Sequence, residues 1–159
     1  MKILIAIDGS KAAALAVKSA IDLAKAMTKA PTLVLMHADV PLMRRVAAEL
    51  GTEGTRRYHQ ENHDYAMQAA RTALKRAKLE FTEKLVVDDA GPAIVKAAKA
   101  GKFDLVVMGS HGHGTLGNLV MGSVATQVLA HCKAPVLLVR LVPVALTSPG
   151  CSIDEILAI

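Results

Sequence analysis

The sequence predicts a doubly wound α/β domain, with one five-stranded parallel sheet and helices on both faces. Five short runs carry the prediction: Ile3 to Ile7, Thr32 to His37, Leu85 to Val87, Leu105 to Met108 and Val136 to Val139. Each is nearly continuous in Ile, Leu and Val, which suits strands buried on both faces better than half-exposed ones. The segments between them space their apolar residues as helices do. The order is therefore β-α-β-α-β-α-β-α-β, and right-handed crossovers then place helices on both faces of a parallel sheet. With 159 residues and 52% apolar content, the chain has the length and the material for one such domain.

The first run leads into Asp8-Gly9-Ser10, where Ser10 suits the N-cap of a helix with Ala14, Val17, Ile21 and Ala24 on its apolar stripe. After the second run, residues 39–54 mix Pro41, Gly51 and Gly54 with Leu42-Met43 and Val46. A short helix or a flap over a ligand fits this segment, and a plain surface connection is favoured. The next helix is read from Tyr65, Ala69, Ala73 and Ala77, each four residues on from the last. Gly91-Pro92 opens a further helix with Ile94, Ala97 and Ala98 inward, and Gly122-Ser123 opens the last, with Val124, Val128 and Cys132 as its stripe. Ligands in such folds sit beyond the carboxyl ends of the strands, where strand order reverses. Spatial order 3-2-1-4-5 would bring Asp8 beside the segment after Met108; periodicity alone leaves 2-1-3-4-5 open.

That segment is Gly109-Ser110-His111-Gly112, nine residues, then Gly122-Ser123, a G-x2-G-x9-G-[ST] pattern leaving a strand. Glycines let backbone N–H groups approach a phosphate without a Cβ in the way, and a Gly-Ser pair opening a helix aims N–H donors and a hydroxyl at an anion. The pattern predicts a phosphate cradle and hence a nucleotide. There is no G-x-x-x-x-G-K-[ST], and from Gly109 to Ala130 no side chain is charged unless His111 or His113 is protonated. Phosphate would be held by backbone N–H groups, Ser110, Ser123, the helix N-terminus and a divalent cation. Such a site binds and shows no machinery to react. The overlapping Gly112 to Gly117 stretch satisfies G-x-G-x-x-G, but it follows the fourth strand and lacks the ribose-binding acid further on, so hydride transfer is set aside. Asp8, at a strand's carboxyl end, suits contact with ribose, base or hydrated metal; its plainer role is to cap the helix start.

His59 and His63 stand i, i+4 with Glu61 between them, one position late for H-E-x-x-H, and a solvated helix face is expected. His37 is expected to be a hydrogen-bonded strand end, and Cys132 an inert packing residue. The two cysteines, Cys132 and Cys151, form no C-x-x-C pair, so neither a disulfide framework nor a cysteine zinc site is expected. With no long apolar window and no cleavage signal, a cytoplasmic protein without a membrane partner is expected. The net charge of +5 includes Arg44-Arg45, Arg56-Arg57, Arg71 and Lys75-Arg76. Aromatics are only 3% with no Trp, so stacking platforms for bases are scarce and a solvated basic face is favoured over nucleic-acid binding. In the tail, Ser152 and Glu155 form a capping box, with Cys151 and Ile156 spaced as its staple.

With these residues in view, the chain resembles the universal stress protein family, specifically its ATP-binding branch. The resemblance runs over residues 1–140 and leaves 141–159 as a C-terminal extension. It is carried by Lys2 to Ser10, Leu33 to His37, Gly91 to Ile94, Asp104 to Gly112, Leu119 to Val124 and Ala134 to Arg140, with the glycine motif intact. It implies the 3-2-1-4-5 sheet and a homodimer formed by pairing the last strand, Val136 to Arg140. It also implies that Asp8 and the backbone around Ala38 meet base and ribose, while Gly109, Gly112, Gly122, Ser123 and Val124 hold the phosphates. The resulting expectation is a cytoplasmic, ATP-binding, dimeric switch in stress response or signalling, with Mg²⁺ on the phosphates. Its rivals are a slow ATP hydrolase of the same fold and a nucleotide-free interaction dimer.

Overall fold

A computed structural model describes residues 1–112 and 121–140. The elements run β1 (Lys2–Ala6), α1 (Lys11–Ala26), β2 (Thr32–Asp39), α2 (Arg44–Arg76), β3 (Phe81–Val87), α3 (Ala90–Ala100), β4 (Leu105–Gly109), α4 (Ser123–His131) and β5 (Val136–Val139). All strand pairs are parallel and the sheet order is β3-β2-β1-β4-β5, which settles the choice that periodicity left open. The tail with its Ser152–Glu155 capping box and most of the Gly112 to Gly117 stretch lie outside the described residues.

Strand alternation divides the core between the two faces of the sheet. Ile3, Ile5, Leu33, Leu35 and Val107 pack against α1 and α2, while Leu4, Met36, Val106 and Met108 pack against α3 and α4. Helix α1 begins as its sequence suggests: Ser10 Oγ accepts the Ala13 N–H at 3.1 Å. Its inner face is mostly alanine, Ala12, Ala13, Ala16, Ala20 and Ala24 with Val17 and Ile21, so it lies close over β1 and β4.

Helix α2 departs from expectation twice. Its buried stripe is His59, His63, Ala66, Met67, Ala70 and Leu74; of the expected run, Tyr65 (75% exposed) and Ala69 face outward, while Ala73 and Ala77 are half-buried against the core. A strict four-residue step overshoots the helical turn by about 40° each time, so three steps carry such a series a third of the way round the helix. The observed stripe mixes steps of three and four and stays on one face. Secondly, His59 and His63 are buried instead of solvated, because each has an acidic partner. His59 Nδ1 lies 2.6 Å from Asp39 Oδ2, and His63 Nε2 3.1 Å from Glu83 Oε2. Arg71 in turn ties Glu83 to Asp64, with nitrogen–oxygen distances of 2.6 to 2.8 Å.

The 39–54 segment is strand to Asp39 and helix from Arg44, with non-helical backbone at Gly51 (φ 67°, ψ 179°). Strand β3 starts at Phe81, four residues before the apolar run, because at a sheet edge Thr82, Glu83 and Lys84 are tolerated facing outward or toward α2. Of the basic pairs, Arg56 and Arg57 bridge to Glu53 and Glu61 on exposed faces, and Lys75 and Arg76 close the last turn of α2, where positive charge suits the helix dipole. Cys132 caps α4 and is half-buried at the rim of the α3–α4 cluster.

Candidate functional site

Strands β1 and β4 are neighbours, while the chain leaves β1 toward β2 and leaves β4 toward β5. Beyond their carboxyl ends lies a cavity of about 330 Å³ on the α3–α4 side of the sheet. Asp8, Ala38, Gly109, Gly112, Gly122, Ser123 and Val124 all line it, so residues from four separate stretches of sequence meet in one place.

Asp8 follows β1, and its Oδ1 accepts the Ser10 N–H at 2.9 Å, while Ser10 itself caps α1. Asp8 thus shapes the helix start and lines the cavity at once. The glycine segment folds onto it. A Cβ on Gly112 would stand 2.6 Å from Asp8 Oδ2, so the backbone there comes as near the carboxylate as only glycine allows. Gly109 meets a different neighbour: a Cβ there would stand 2.7 Å from Ala12 Cβ, so the end of β4 packs directly on the first turn of α1.

The far wall is the N-terminus of α4. Gly122 is its N-cap; its N–H donates to Ser110 O at 2.9 Å, and its carbonyl accepts the Thr126 N–H at 3.0 Å and the Thr126 hydroxyl at 3.1 Å. Ser110 is buried and donates its N–H to Val139 O at 2.8 Å, which pins the segment to the end of β5. Ser110 Oγ lies 2.9 Å from His111 Nδ1. No Lys or Arg lines the cavity, and Asp8 is its one carboxylate among the described residues. Met36, Met108, Ala90 and Ile94 complete an apolar side, a setting for a flat, weakly polar ring. Met36 and Ile94 carried only a core signal in the sequence; what brings them to the cavity is their position at the end of β2 and the start of α3. No group of three or more His, Cys, Asp or Glu side chains able to hold a metal occurs among the described residues, and none of their helices is long and apolar enough to cross a membrane.

Comparison with known proteins agrees with this architecture. A model of the universal stress protein family matches residues 1–140. A universal stress protein of Thermus aquaticus is 33% identical over 139 residues, 87% of this chain and 97% of the relative. The universal stress protein Slr1230 of Synechocystis is 38% identical over 71 residues, and that match spans only 25% of its length. Among solved structures, the protein MJ0577 superposes with a TM-score of 0.75 at 26% identity, covering 89% of this chain and 96% of that one. A universal stress protein in complex with cAMP superposes with a TM-score of 0.61, also at 26% identity, covering 87% and 96%.

Proposed function

The chain belongs to the universal stress protein family, and from that premise we propose that its cavity binds an adenine nucleotide, ATP with Mg²⁺ being the expected form. One observation carries the reading: Asp8, Ala38 and the residues of the glycine motif, distant in sequence, converge on a single cavity at the strand-order reversal. The apolar side formed by Met36 and Ile94 takes the base and Asp8 faces the ribose. The backbone of Gly109, Gly112 and Gly122, with Ser123 and Val124, holds phosphate at the start of α4, where the helix dipole favours an anion. The cAMP complex of a relative 26% identical supports an adenine ligand. With no lysine or arginine lining it among the described residues, the cavity needs a divalent cation to offset a triphosphate, and the cation would take its ligands chiefly from the phosphates and water.

The protein acts, on this reading, as a cytoplasmic homodimer whose signalling state depends on nucleotide occupancy, with β5 pairing across the two-fold axis. A ligand can switch a protein only by preferring one arrangement of it. Heat-denaturing freshly purified protein and identifying released small molecules by mass spectrometry tests the binding. An adenine nucleotide in stoichiometric amount is expected; protein that carries none and takes up none in titration refutes the reading.

A further inference from the structure

On the side of the sheet away from the cavity three buried histidines gather, His37 from β2 and His59 and His63 from α2. Alternation along β2 sends Ala38 to the cavity and His37 and Asp39 toward α2. His37 Nδ1 lies 2.9 Å from Ile7 O, His63 Nε2 3.1 Å from a Glu83 oxygen, and His59 Nδ1 2.6 Å from an Asp39 oxygen. Carbonyl and carboxylate oxygens only accept, so these three ring nitrogens carry the protons. In a neutral ring the other nitrogen is then a bare acceptor. His37 Nε2 and His63 Nδ1 are both buried without a hydrogen-bond partner, in rings whose centroids are 5.9 Å apart. Two neighbouring imidazoles thus bury two lone pairs and no donor between them. A proton on either ring supplies one.

Charged groups from three elements surround the pair. Asp39 faces the histidines from β2 and Glu83 from β3, with Asp64 and Arg71 beside them on α2; Asn62 donates to Asp39 at 3.0 Å. Three carboxylates against one guanidinium leave two net negative charges around neutral rings. One added proton lowers that imbalance, while a second on the same pair is opposed by the first.

We propose that the His37–His63 pair is a proton-binding site that regulates the cavity: its two unpartnered ring nitrogens take up one proton, and in that state the cavity holds an anionic nucleotide more tightly. The proton comes from solvent and no bond other than N–H forms. The link is short. His37 bonds the carbonyl of Ile7, which precedes Asp8, and His37 itself precedes Ala38, so an imidazolium there adds positive charge directly beneath two cavity-lining residues. The regulatory half rests on the nucleotide reading; the proton site does not.

Two measurements on the full chain keep these apart. Ring-nitrogen NMR of ligand-free protein from pH 8 to 5 should show His37 and His63 titrating together, with His63→Gln altering the His37 curve and Glu83→Gln moving the shared midpoint down; rings that stay neutral down to pH 5 overturn the site. If His63→Gln fails to fold, the Glu83→Gln shift alone decides. Calorimetry with cAMP, whose charge is constant over this range, should show tighter binding at low pH, about tenfold for each unit by which the pair's pKa differs between free and bound protein. His63→Gln should flatten that slope, whereas His131→Gln, exposed at the end of α4 and outside the cavity, should keep it. An equal slope in wild type and His63→Gln overturns the regulation, and no cAMP or other adenine-nucleotide binding at any pH, with the pair still titrating, overturns the nucleotide reading instead.

Discussion

Replacing Gly122 by Val separates binding from folding at the start of α4. A Cβ at this position would stand 3.2 Å from Ser110 O and 3.4 Å from His111 Cα, so the Ser110–His111 backbone has to give by a few tenths of an ångström. The backbone itself tolerates the change, since φ −60° and ψ 150° suit any residue. An N-cap changed from Gly to Val costs about 1 kcal/mol, which for a chain of this length lowers Tm by roughly 2–4 °C. Binding suffers far more. The isopropyl group stands at the helix N-terminus that faces the cavity and keeps a phosphate from its N–H donors. Hydrogen bonds to charged groups contribute about 1.5–3 kcal/mol each, so losing two weakens binding by roughly 100-fold or more. Calorimetry for affinity and circular dichroism for fold and Tm are the assays, with Gly122→Ala, which adds the Cβ alone, as an intermediate step. Unchanged affinity in a folded Gly122→Val protein would refute the proposed phosphate position.

Chelating divalent metal should weaken ATP binding by at least about tenfold and AMP binding little, because no Lys or Arg among the described residues lines the cavity to offset the triphosphate; equal ATP affinity with and without chelator would show the charge argument wrong. Leu137 is 38% exposed, whereas Leu138 packs into the α3–α4 cluster, so Leu137→Lys should shift a β5-paired dimer toward monomer at nearly unchanged Tm, and Leu138→Lys should lower Tm. Light scattering decides, and a wild type that is monomeric at high micromolar concentration excludes that dimer. A hydrogen bond from Arg71 holds Glu83 below its ordinary value of 4.5. The unfolded chain then binds the extra proton first, so this contribution to stability is complete above about pH 4.5 and is lost as pH falls through the lowered value; in Glu83→Gln the acid limb of the Tm–pH curve should be shallower. The same slope in both proteins would remove Glu83 from the acid-unfolding account.

Central strands were legible because burial on both faces leaves an unbroken apolar signature: β1, β2 and β4 fall within one or two residues of their runs. The edge strand β3 was legible only in its last three residues, because Glu83 and Lys84 interrupt the run where one edge lacks a neighbour. Helix α2 shows the opposite difficulty. Alanines occupy both its buried and its exposed faces, so composition could not choose between stripes. The choice was present in spacing, for His59, His63, Met67, Ala70 and Leu74 run in steps of four, four, three and four along one face. Setting the histidines aside as polar hid that continuity, since what makes them buriable is acids 20 residues away on β2 and β3. No local window contains that pairing.

The glycine motif was legible as a unit, yet its members do unlike work. Gly109 admits Ala12 and so fixes how α1 seats against β4; Gly112 admits the Asp8 carboxylate; Gly122 presses on little besides the Ser110–His111 backbone. Substituting Gly109 therefore displaces the helix that begins at Ser10, and any loss of binding would follow from lost packing. At Gly112 a side chain would push directly on Asp8, so a loss there cannot be assigned to phosphate contact alone. Only Gly122 combines a tolerant backbone, distance from both core clusters and a place at the helix start, which is why the phosphate argument has to be tested there.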